Sequence, residues 1–109
     1  LMTVAKTIPN KEIRDQIAEN GSAVSVSGSP FSISIRTDHN AIFEVIVQGS
    51  VDNTFDNLWE IDRFSIAASS AGIDLFYQNS YDNPQEYVRV VVTAQSTPTE
   101  GDMDAWVIK

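Results

Sequence analysis

The only histidine of the chain, His39, lies in Asp38-His39-Asn40, and an aspartate beside an imidazole is the pairing that orients a general base. Neighbours in a tight turn usually point apart, however, and no G-x-S-x-G or comparable motif marks a nucleophile. The expectation is a turn histidine facing solvent. Glu60 and Asp62 are a second candidate: two residues apart on a strand, their carboxylates share a face, as glycoside hydrolysis requires. Nothing near them marks a substrate cleft, and with no base paired to a nucleophile the chain reads as no enzyme.

Oxygen ligands come in two loops, one with Asp52, Asn53, Asp56 and Asn57, the other with Asp82, Asn83 and Glu86. Calcium takes six to eight oxygens, and neither loop follows D-x-[DN]-x-[DN]-G. Asp52, Asp56, Asp82 and Glu86 are therefore weak metal candidates, and solvated acidic loops are the plainer reading. Glu100, Asp102 and Asp104 form a third acidic cluster, expected in a flexible connection. No cofactor is expected.

Trp59, Phe64, Phe76, Tyr77, Tyr81, Tyr87 and Trp106 supply stacking surface for a sugar or a base, but an all-β core of this size buries most of its aromatics. Tyr77 and Tyr81 flank a polar loop, where a ring with a polar tip suits an interface. With Tyr87, Asp52 and Asp56 they are the interface candidates.

The elements that must position these residues follow from periodicity. Residues 31–51, FSISIRTDHNAIFEVIVQGSV, alternate twice around a polar turn and read as a β-hairpin. Phe31, Ile33 and Ile35 share one face; Phe43, Val45 and Val47 share another in a strand expected to be central and covered on both sides. Residues 58–68 change phase, which predicts a bulge near 60–63 or a corner between two sheets. Residues 73–77 and 86–95 read as strands, the latter with Val88, Val90 and Val92 inward, and 105–109 as a last strand. The stretches 69–72 and 78–85 read as a turn and a loop. Residues 10–20, NKEIRDQIAEN, predict a short helix, with Asn10 as cap and Ile13 and Ile17 one turn apart. Residues 1–8 read as an arm or an edge strand, and 22–29 as a short strand. The fold class expected is mainly β: a small antiparallel sandwich or barrel of about seven short strands with one N-terminal α-helix, in a single domain over 1–109.

Composition narrows the function. Fifteen acidic against seven basic residues give a net charge of −8, which argues against direct binding to nucleic acid or to an anionic membrane. Absent cysteine removes disulfides, thiolate catalysis and Cys-ligated metals. No signal peptide or apolar span is evident, and Met2 in Leu1-Met2-Thr3 reads as an initiator, which favours cytoplasmic synthesis or a virion-type particle. A surface rich in Ser, Thr, Asn and Gln but poor in Lys suits packing against other copies. The leading expectation is a self-associating structural component of a virion-like or other particle. The alternatives are an acidic module occupying a basic, nucleic-acid-binding groove of a partner protein, and a calcium- or carbohydrate-dependent adhesion domain.

Overall fold

The computed structural model describes residues 3–68, 74–82, 84–98 and 101–109. Nine strands form: β1 Val4–Lys11, β2 Glu19–Asn20, β3 Val24–Ser25, β4 Phe31–Thr37, β5 Ala41–Ser50, β6 Leu58–Ala68, β7 Leu75–Tyr81, β8 Tyr87–Ala94 and β9 Met103–Ile108. One sheet has the order β1-β9-β4-β7, the other β2-β8-β5-β6, with β3 on the same edge of β8 as β2. Every pairing between named strands is antiparallel.

Taking β2 and β3 as one strand interrupted at residues 21–23, there are eight strands, and every connection except β5 to β6 crosses between sheets. That is the connectivity of a double Greek key, or jelly roll. The alternating residues that the sequence marks as apolar meet between the sheets. Phe43, Ile33, Ile35, Val45, Val47, Val88, Val90, Val92, Met103 and Val107 are all buried there, each worth roughly 1.5–3 kcal/mol when removed from water.

Several expectations change. Residues 31–51 are not a hairpin: β4 pairs with β9 and β7, β5 with β8 and β6, and the turn between them crosses from one sheet to the other. Alternation states which face is buried but not which strand lies alongside. β5 is central, as expected, yet its outer face leaves Ile42 exposed.

The predicted helix over residues 10–20 does not form. Ile13 is buried at 1% exposure while Ile17 stands at 56%, so the two do not share a stripe. Asn10 and Gln16 adopt φ of 51° and 60°, outside the helical region. The segment instead completes β1, bridges Asp15 to Ala94 and enters β2. Of the two readings for residues 1–8, the edge strand is the one found from Val4 onward; Leu1 and Met2 lie outside the described residues.

β6 carries the anticipated bulge. Its register skips Ile61 between Gln48↔Glu60 and Val47↔Asp62, which turns Phe64, Ile66 and Ala68 inward. β7 runs on through Gln78–Tyr81, which the sequence reads as loop; polar side chains there occupy exposed positions of an edge strand. The turn read at 69–72 lies outside the described residues.

Candidate functional site

β7 is one edge of the first sheet and β6 one edge of the second, so their inward side chains face each other along one flank. The Tyr77 ring stacks on Phe64 at 4.4 Å between centroids, and Tyr81 on Phe31 at 5.3 Å. The Tyr81 hydroxyl donates to Asp62 Oδ2 at 2.6 Å and accepts from Asn79 Nδ2 at 3.2 Å. Burial, then the adjoining Asp62 carboxylate, hold the Tyr81 phenol well above the ordinary tyrosine value. Tyr77 and Tyr81 thus seal the flank while staying partly exposed. Tyr87 is placed elsewhere, opposite Ser50 and beside Ser25 on the second sheet.

The bulge also separates Glu60 from Asp62. Glu60 pairs opposite Gln48 and accepts from Arg63 at 2.7 Å, and Arg63 bonds Glu44 at 2.8 Å. Asp62, one bulge later, has the parity of buried Val47 and meets Tyr81. The expected shared face does not exist, because the extra residue inverts the alternation.

Ser50 pairs with Tyr87, which brings the loops before β8 and after β5 to the same end of the sandwich. Asp52, Asp56, Asp82 and Glu86 gather there, mostly exposed. Asp52 is the organiser of its loop. It accepts from Asn57 Nδ2 at 3.1 Å and from the backbone N–H groups of Asp56 and Asn57 at 3.0 and 3.3 Å; the Thr54 hydroxyl lies 2.9 Å from it and 2.8 Å from Asp56. These donors, the Asn57 amide foremost, lower the Asp52 carboxyl to about 2. Among the described residues no group of three or more His, Cys, Asp or Glu is arranged to hold a metal ion. Phe55 folds back and is buried, with the Arg89 guanidinium 4.4 Å from its ring centroid.

The opposite end holds what the sequence missed. His39 is not solvent-facing but buried at 1% exposure. Its Nε2 accepts the Ile13 N–H at 3.2 Å, and its ring lies 5.8 Å from that of Phe43. A ring nitrogen that accepts carries no proton, so the neutral tautomer with hydrogen on Nδ1 fits this bond. The histidine is a fixture of the interior, held by Phe43 four residues on and by Ile13, 26 residues earlier.

Beside it, Arg36 is ringed by carboxylates. Nε donates to Asp104 Oδ2 at 3.0 Å, one terminal nitrogen to Asp74 at 2.8 Å, the other to Asp102, and Asp38 is 3.9 Å away. Burial works against the charge, but these partners raise Arg36 further above its already high ordinary value. Asp104 also accepts from Lys6 Nζ at 3.0 Å and the Asn10 N–H at 2.8 Å. Burial alone would raise its carboxyl; Lys6 and Arg36 overcome that and lower it. Asp102 and Asp104 are thus tied down and in no sense a loose acidic connection; Glu100 lies outside the described residues.

Solved structures match the chain over nearly its whole length. It is similar to the crystal structure of PirA, at 11% identity and TM-score 0.56, covering 98% of this chain and 90% of that one. It is similar to a chain in the structure of infectious bursal disease virus, Gx strain, at 7% identity and TM-score 0.60, covering 99% of this chain and 31% of that one. It is similar as well to a chain from Bacillus endospore appendages, a novel family of disulfide-linked pili, at 8% identity and TM-score 0.55, covering 98% and 85%. The chain spans about a third of the virus chain and most of the other two. At these identities the likeness shows a shared fold. No protein-family model and no curated protein sequence matches the chain.

Proposed function

We propose that this chain is a non-enzymatic structural module that associates with copies of itself to build a virion-like particle or an appendage. What supports the reading is a likeness, over nearly all of this chain, to part of a chain from a virus and to most of a chain from pili. Support within the molecule comes from large apolar side chains that the core does not absorb: Val4, Ile17, Ile42, Val51, Leu58, Trp59 and Phe76 remain exposed. Val51, Leu58 and Trp59 flank the passage from β5 to β6, Leu58 and Trp59 on opposite faces of the strand, and each leaves apolar area for a contact to bury. Fold likeness by itself does not carry function, so the test is direct. Light scattering coupled to size exclusion, over a range of concentrations, should give a mass above one chain. A single-chain mass throughout would reject the reading.

The acidic end favours a second reading. Asp56, Asp82 and Glu86 are exposed in the two loops at this end, beside an Asp52 engaged within its own loop, and such acidic loops would suit a basic groove on another protein. Such a complex should weaken steeply as salt rises.

A further inference from the structure

An open sheet edge offers unpaired N–H and C=O groups to any passing strand, and natural proteins block it with charge, proline, bulges or brevity. This sandwich has four edges, and three are blocked. β1 carries Lys6, Pro9 and Lys11 and two register shifts. β2 and β3 are two residues each. β6 is bulged at Ile61 and carries Glu60, Asp62 and Arg63.

β7 has none of these devices. Its seven residues, LFYQNSY, contain no charge, proline or glycine, and its pairing with β4 runs from Phe31↔Tyr81 to Thr37↔Leu75 without a shift. It also presents Phe76, the most exposed large apolar side chain of the described residues at 63%.

Resting on the self-association proposed above, we infer that the β7 edge is the contact, and that it pairs antiparallel with β7 of a second copy about a two-fold axis through Gln78. The partner strand must itself be open, regular and uncharged, and within this chain β7 answers that description. Copies of net charge −8 repel over most of their surface; an uncharged strand is where they can meet. Centred on Gln78, the pairing sets Leu75 opposite Tyr81, Tyr77 opposite Asn79 and Phe76 opposite Ser80, so inward residues meet inward and outward meet outward. The result is an isologous contact that joins two four-stranded sheets into one of eight. Beyond the ladder, Asp74, paired with Arg36 of its own chain, comes opposite Asp82, so the repulsion left between the copies is chiefly that of their net charge of −8. Association should therefore strengthen as salt screens it, the reverse of the acidic-groove complex.

The test exploits Gln78, which faces itself across the axis and is exposed. Gln78→Lys and Gln78→Glu should each cut the assembled mass at least in half, while an equimolar mixture of the two should restore it. Because the chain has no cysteine, Gln78→Cys provides an independent readout: oxidation should yield a covalent dimer, and Ser65→Cys on exposed β6 should not. Wild-type mass retained in both charged variants, with no Gln78→Cys dimer, overturns the β7 contact and leaves self-association standing. A single-chain mass for the wild type itself overturns both.

Discussion

Tyr81 on β7 donates its hydroxyl to Asp62 on β6 at 2.6 Å, a side-chain hydrogen bond that ties the two sheets together along the flank where each has its last strand. The bond exists because the β6 bulge turns Asp62 inward. Tyr81→Phe keeps the stack on Phe31 and removes the bond, and should cost on the order of 1 kcal/mol in denaturant unfolding. Its pH dependence has a definite sign. The folded protein holds the phenolic proton more tightly than the unfolded chain, so the contribution is whole below the ordinary tyrosine value, about 10, and is lost as pH climbs past it. Wild-type stability should fall more steeply than that of Tyr81→Phe in that alkaline range.

Arg36 compensates four carboxylates. Arg36→Ala should destabilise by about 2–3 kcal/mol, less than a fully buried pair because Asp74 and Asp102 reach solvent. The pH response should invert. In the wild type the lowered Asp104 carboxyl contributes stability above the ordinary aspartate value, about 4, and that stability is lost as pH falls below it. In Arg36→Ala, protonation over the same range relieves repulsion, so mild acid should narrow the gap between variant and wild type in thermal melts.

His39→Leu keeps the bulk of the ring but leaves the buried Ile13 N–H without the acceptor it has at 3.2 Å. A loss of about 1–3 kcal/mol is expected, together with faster amide exchange at Ile13.

Two glycines should rank by what an added methyl would meet. At Gly21 a Cβ would lie 2.7 Å from the Val90 carbonyl oxygen and 2.9 Å from that of Thr7, both backbone. At Gly49 it meets the side-chain ends of Gln85 and Trp59 at 2.9 Å, which can shift at the expense of their mutual hydrogen bond. Gly21→Ala should cost more than Gly49→Ala, by about 1–2 kcal/mol, while Gly49→Ala should show the larger change in tryptophan fluorescence.

What the sequence reveals here is the local face of each strand. Alternation at Phe31, Ile33 and Ile35, at Phe43, Val45 and Val47, and at Val88, Val90 and Val92 is also the burial pattern found, and the phase change in 58–68 is a real bulge. Pairing is not legible, because the same alternation serves a hairpin or a strand that crosses to the other sheet. Ile13 and Ile17 mimic a helical stripe by spacing alone, and a segment that short takes its shape from what it docks on. Tyr77 and Tyr81 stand out through residue type. The Arg36 cluster does not, since Asp74, Asp102 and Asp104 are 38 to 68 residues away, and only the fold brings them together.

The interrupted strand at residues 19–25 gives the sandwich two unlike flanks. Gly21 donates to the Val90 carbonyl at 2.8 Å, Ser22 to that of Thr7 at 2.6 Å, and the Thr7 hydroxyl returns a bond to the Ser22 carbonyl at 2.7 Å, so backbone stitches the sheets shut on this side. Across the molecule, β6 and β7 are joined through side chains. The protein therefore behaves as a clamshell with a spine and a clasp: under partial denaturation it should part at Tyr77 and Tyr81 while the β1–β8 side still holds. Its most readily released strand is then β7, the one best suited to exchange with a neighbour.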